Sequence, residues 1–305
     1  MRSTRGPLAL LATVVCATML HAAAPPRTLA QECPLLGAGP LASARLARLP
    51  AGMLLRAGSV TVTAQDVDGE IAKASADVRA QLERSRLFAL ELLAVKRLLA
   101  VEAEQWAKAT KRELQETETA RVQAYLGSVA AGVTVTDADL PRFFVENKDA
   151  FGGESFEQLR PRLTRYVLRQ KREEAQQQYV NTLSERVGTE VAETWVRTQY
   201  RHLIDNPVDR ARLSRRPSLV DFGAEGCIAC ETMAPILTLL GDELKGKANV
   251  LFVDVRKEQV LGSRFGVRTI PLQVFFDRDG KEVFRHVGVF PEAQIRAKLS
   301  ELGGG

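Results

Sequence analysis

Cysteine and histidine are scarce in this 305-residue chain, with four of the first and three of the second. Beyond residue 33 only Cys227, Cys230, His202 and His286 remain, and one Cys-x-x-Cys pair with two scattered histidines makes no convincing four-ligand zinc site. No metal or other cofactor is expected. Aromatic residues make up 6% of the chain, and past the first twenty residues no apolar run is long enough to cross a bilayer. Charge of one sign is lacking too. The net charge is +5, and the arginines are interleaved with Glu and Gln in helix-like segments, apart from a short cluster between Arg210 and Arg216. That pattern is a solvated helix surface, so a nucleic-acid partner is not expected.

The N-terminus departs from this composition. Arg2 and Arg5 precede an apolar stretch from Leu8 to Leu20, and Thr28-Leu29-Ala30 offers small residues for cleavage. Residues 1–30 therefore read as a secretory signal peptide, with an uncleaved membrane anchor as the alternative. The expected location is the periplasm, where disulfide chemistry has substrates. Cys33 is expected as a lone thiol in a flexible tail. Residues 31–55 carry Gly37, Gly39, Pro40, Pro50 and Gly52 without a period and read as a flexible linker.

Residues 56–192 read as a mostly helical domain. Ser59 to Thr63 alternates as a short strand, and Thr63-Ala64-Gln65-Asp66 is a capping box opening a helix. Leu87 to Val101 is apolar around most of a helix circumference, which predicts a buried helix, and Arg112 to Val129 continues without a breaker. Thr136 to Asp139 forms a second capping-box pattern. Phe156, Leu159, Leu163, Val167, Tyr179, Leu183 and Val187 then describe one long helix, kinked or started at Pro161, with a polar middle over Leu168 to Gln178. A wet middle between apolar ends suits an arm or the wall of a cleft. Residues 193–205 read as a connecting segment, with Asn206 and Pro207 placed to start the next helix.

The most specific signal is Gly226-Cys227-Ile228-Ala229-Cys230, between the apolar run Ser218 to Phe222 and a helix-like segment. At a strand-to-helix junction the first sulfur lies over the unpaired N–H groups and positive end of the helix, which favours thiolate. The second sits one turn on, close enough to close a disulfide. Downstream, Ile270-Pro271 opens another apolar run with an X-Pro bond of the kind that can be cis. Over residues 206–305 the alternation predicts helix, strand (218–222), helix (227–245), strand (250–255), helix (258–265), strand (272–276), an Asp279-Gly280 turn, strand (282–287) and a final helix from Pro291.

Val220-Asp221-Phe222 ahead of Cys227, Pro235 in the next helix, Ile270-Pro271 and Gly288 together resemble the thioredoxin family, over the last third of the chain. Two departures stand out. Gly226 replaces the tryptophan before the first cysteine, and Phe252 stands where many thioredoxins bury a lysine. The resemblance implies a mixed sheet flanked by helices, and roles for five residues. Cys227 would be the exposed nucleophile, Cys230 the resolving thiol paired with it in a disulfide, and Asp221 the buried acid exchanging a proton with Cys230. Pro271 and the main chain of Ile270 would bind substrate backbone. A structural disulfide, a solvated Asp221 and a trans Pro271 remain open alternatives. Residues 56–192, through Val60 to Val67, Val135 to Leu140 with Phe144 and Asn147, and Ser155 to Leu159, are similar to the helical peptide-binding domain of SurA-type and PrsA-type foldases. There is no room for a parvulin unit between Asn147 and Ser155.

Two readings follow. In one the chain is an extracytoplasmic thiol-disulfide oxidoreductase, a reductase of protein disulfides whose helical domain positions clients. Its partners would be disulfide-containing or unfolded extracytoplasmic proteins and a membrane thiol electron donor. In the other it is a chaperone or scaffold with the C-terminal fold as a docking module, or a helical spacer or dimerisation bundle joined to it.

Overall fold

The computed structural model describes residues 27–111, 117–151 and 153–304. Most of the expected signal segment lies outside them. Its last residues do not. Thr28 caps α1 (Leu29–Glu32) in a reciprocal capping box with Gln31, and Leu29 is buried, its N–H donating to the Ala44 carbonyl at 2.8 Å. A cut after Ala30 would pull Leu29 out of the core, so the cleavage positions expected at Thr28-Leu29-Ala30 are corrected: they belong to the fold.

The expected linker over 31–55 is also corrected. β1 (Arg45–Ala47) and the start of β2 (Met53–Ala57) fall within it, and with the expected strand β3 (Val60–Thr63) and β4 (Glu190–Ala192) they form a sheet of order β1-β4-β2-β3. Gly52 and Gly58, both at positive φ, make the turns on either side of β2. Cys33 is not in a flexible tail; it is fully buried, and desolvation pushes its thiol up to about 12.

Thr63 does cap α2 (Ala64–Ala72) in the expected capping box with Asp66. Then come α3 (Ala76–Arg84) and α4 (Arg86–Ala109), whose buried residues from Leu87 to Leu99 centre the largest core. The continuous helix expected from Arg112 is corrected. Thr110 ends α4 by bonding back to the Trp106 carbonyl, Lys111 turns left-handed, and α5 (Glu118–Val129) starts afresh under Thr117; residues 112–116 lie outside the described chain. The Thr136 capping box forms in half: the Asp139 carboxylate accepts the Thr136 N–H and pairs with Lys171, while α6 (Asp139–Glu146) starts only at Asp139.

The long helix is α7 (Phe156–Asn181), begun by Ser155 and Gln158 rather than at Pro161. Its first half packs Leu159, Leu163 and Val167 with Phe143, Phe144, Phe151 and Phe156 in a separate small core. Its far end places Tyr179 and Val180 against the main core, and its middle is wet as expected. α8 (Leu183–Arg186) and β4 follow, then α9 (Glu193–Leu203). Val196 and Leu203 are part of the main core, so 193–205 is the last helix of the helical unit rather than a connection.

The second unit follows the expected order to within a residue or two: α10 (Pro207–Arg212), β5 (Ser218–Gly223), α11 (Ile228–Glu243), β6 (Asn249–Asp254), α12 (Gln259–Arg264), β7 (Leu272–Phe276), β8 (Glu282–Val287) and α13 (Glu292–Glu301). Its sheet has the order β6-β5-β7-β8; β6 runs parallel to β5, while β7 and β8 are antiparallel. Strand alternation sorts the side chains. Val220, Phe222, Val274 and Phe276 face one cluster with Val208 and Leu261, and Leu219 and Phe275 face the other with Met233, Leu237, Ile295 and Leu299.

A buried ionic cluster joins the two units. Asp209, wholly buried, holds Arg212 and Arg264 at 2.9 Å each; Arg212 also donates to the Leu35 carbonyl and Arg264 to that of Leu203. Removing one partner of such a cluster strands a buried charge, so it fixes how the units meet.

Candidate active site

Cys227 is the N-cap of α11, and its sulfur accepts the Cys230 N–H at 3.3 Å. The spacing of two residues then sets Cys230 one turn in, and the two sulfurs are joined in a disulfide with Cα atoms 5.2 Å apart. Cys230 is buried, Cys227 is half-buried, and Ile228 beside it is 85% exposed. Opening the disulfide leaves a Cys227 thiolate at the helix start, where N–H groups and the positive end of the helix favour negative charge.

Two glycines shape the approach. A Cβ on Gly223 would lie 3.3 Å from the Cys230 sulfur and 2.7 Å from the Phe252 ring, so β5 ends in the one residue that lets the thiol pack on the sheet. Gly226 has φ +73°, a conformation that a side chain disfavours. The glycine standing where the family has tryptophan thus follows from the turn this chain makes before Cys227.

Asp221 lies two residues before Gly223 and so on the same face of β5 as Cys230. It is fully buried, not solvated at the strand end. Phe252 of β6 is its cross-strand neighbour on one side and Gln273 of β7 on the other. Gln273 donates from Nε2 to Asp221 Oδ1 at 2.6 Å, while Asp221 Oδ2 and Gln273 Oε1, both buried, have no partner among the described residues. Burial pushes the Asp221 carboxyl up to about 6, and the Gln273 hydrogen bond opposes that rise. Gln273 escaped the sequence reading because it stands within an apolar strand. The only available sign was that an amide in a central strand needs a buried partner.

The Ile270-Pro271 peptide is cis. β5 and β7 pair Phe222 with Leu272, so the next step of the ladder brings Pro271 to the level of Gly223, under Cys230. Pro271 is buried, its carbonyl taken by the Gly288 N–H at 2.8 Å. The structure therefore gathers Cys227, Cys230, Asp221 and Pro271 at one end of the sheet. His286, on β8, is half-buried and stacked on Phe290 at 4.3 Å, and burial holds its imidazole below the usual range.

A dithiol pair at a helix start, a buried carboxylic acid on the same sheet face and a cis-proline at the facing strand define a thiol-disulfide oxidoreductase domain of the thioredoxin type. The thioredoxin family model matches residues 198–301. Among characterised relatives, thioredoxin C-2 of Corynebacterium nephridii is 34% identical over 85 residues, 28% of this chain and 78% of its own length. A thioredoxin-like protein of Synechocystis sp. is 35% identical over 86 residues, 28% of this chain and 81% of its own, and the thioredoxin of Haemophilus influenzae is 35% identical over 79 residues, 26% and 73%. By its C-terminal third the chain belongs to the thioredoxin family.

Proposed function

We propose that this protein is an extracytoplasmic reductase of protein disulfides whose helical unit positions the client. The observation that carries the redox part is the juxtaposition of a half-exposed Cys227 with a buried Cys230, and of both with Asp221 on one sheet face. The Cys227 thiolate attacks a client disulfide, forming a mixed disulfide and releasing one client thiolate. With Asp221 taking its proton, Cys230 then attacks the Cys227 sulfur. The client leaves with both thiols reduced and the chain keeps the pair as a disulfide. Two electrons have passed to the client, and a dithiol donor must restore them; a membrane-embedded thiol carrier is the proposed source.

Reduction is favoured over oxidation by charge. Ile228 and Ala229 bring no side-chain donor to the Cys227 thiolate, and Glu231 in the first turn of α11 mildly opposes it. Strong oxidants of this fold stabilise that thiolate, so the pair belongs nearer thioredoxin, at about −270 mV, than DsbA, at about −120 mV.

The client-positioning part rests on α7. Glu173 in its wet middle pairs with Arg268, three residues before the cis-proline, at 3.2 Å, so the arm runs beside the loop that would receive a client. Its first half, with Phe156, packs beside the half-buried Phe143 and Phe144 of α6 and Phe151, a set of aromatics suited to apolar segments of unfolded chains. The test is reduction of insulin by the full chain with dithiothreitol, and equilibration of the pair with glutathione. Cys227→Ser should abolish turnover. A potential above about −180 mV would assign an oxidase or isomerase role instead.

A further inference from the structure

Gln81, on α3 of the helical unit, is one of the points where that unit grips the redox unit, at residues 257–260. It is 8% exposed and spans the junction with both ends of its amide: Nε2 donates to the Lys257 carbonyl at 2.8 Å, and Oε1 accepts the Val260 N–H at 3.0 Å. The second bond replaces a missing one. Val260 is in the first turn of α12, whose own N-cap residue Glu258 supplies no side-chain acceptor. A helix of the redox unit is thus capped by the helical unit.

The segment Gln81 holds is the one that fastens the redox loop. Lys257 Nζ meets Glu225 Oε1 at 2.5 Å, Arg256 Nη1 donates to the Glu225 carbonyl at 2.8 Å, and the Glu225 N–H reaches Asp254 Oδ2 at 3.4 Å. Glu225 and Gly226 are exposed and precede Cys227 directly, and the Cys227 N–H closes the turn on the Ala224 carbonyl. We propose that Gln81 is a positioning residue for the redox loop: by anchoring residues 257–260 it holds the Arg256 and Lys257 grip on Glu225, and with it the placement of Cys227. The helical unit is then part of the redox site rather than an appended carrier.

The proposal rests on the thiol-disulfide reading for its consequence, and its test separates the two. In the full-length chain, Gln81→Met keeps the volume and removes both hydrogen bonds. Hydrogen exchange of the peptide covering 223–229 should speed by about fivefold, the equivalent of losing a helix cap worth ~1 kcal/mol, while peptides within β5 and β7 stay protected. Alkylation of reduced Cys227 at fixed pH should change in the same variant. Lys257→Met, at an exposed position, should reproduce both effects and serves if Gln81→Met does not fold. Uniform loss of protection across the redox unit, or loop exchange and alkylation equal to wild type in both variants, would overturn the proposal. A wild-type chain that fails to reduce insulin while the loop still loosens in Gln81→Met would overturn the reductase reading and leave the positioning role standing.

Discussion

Replacing Asp221 with asparagine should stabilise the protein while slowing it. In the unfolded chain the carboxyl titrates at 3.8; in the fold, burial moves it to about 6. Below 3.8 both states hold the proton and the neutral acid is buried at little cost. Between 3.8 and about 6 the unfolded chain releases the proton while the folded one keeps it, so stability falls as pH rises through this window. It reaches its full loss above 6. The two values convert to roughly 3 kcal/mol. Asp221→Asn abolishes the titration, and its amide can pair with Gln273, whose Oε1 has no partner now. The variant should match wild type near pH 4 and exceed it by up to roughly 3 kcal/mol at pH 8 in urea unfolding, read at the redox unit. Other buried acids, such as Glu91, which burial raises to about 7, act equally on both proteins and cancel in the difference. A difference of the same size at pH 4 and pH 8 would refute the reasoning, because it would show that Asp221 is not held neutral by burial.

Further expectations follow from the same geometry. Gln273→Leu removes the bond that opposes the rise at Asp221, so the carboxyl titration, followed by carbon NMR, should move above that of wild type, and the pH midpoint of insulin reduction should move with it. Gly223→Val forces a side chain against the Cys230 sulfur and Phe252 and should cost about 1–3 kcal/mol in thermal or urea unfolding, with slower closure of the disulfide. In the reduced native chain, Ellman's reagent should titrate Cys227 and Cys230 while Cys33 reacts only after unfolding, since its thiol is buried and raised to about 12.

The redox unit was legible because its strands are short apolar or alternating runs, three of them beside strong punctuation: Cys227 and its turn after β5, Pro271 before β7, Asp279-Gly280 before β8. The N-terminal sheet was not. β1 is three residues long and pairs in parallel with β4, some 145 positions away, so neither carries a local period, and Gly52 and Gly58 read as loop residues when they are tight turns. Cys33 looked like tail and Leu29 like signal peptide for the same reason: the core they join includes Val196 and Leu203, far along the sequence. Gln273, Gln81 and the Asp209–Arg264 pair were invisible because a polar residue inside an apolar segment has meaning only once its partner is known, and those partners are 52 to 179 positions distant.

The central claim is that Cys227 attacks and Cys230 resolves. Full-length Cys230→Ser, incubated with a disulfide-linked peptide, tests it in a single mass spectrum. The account predicts a stable adduct of one peptide half on Cys227, absent from wild type, where Cys230 displaces it. No adduct, or an adduct carried by Cys33, would contradict it.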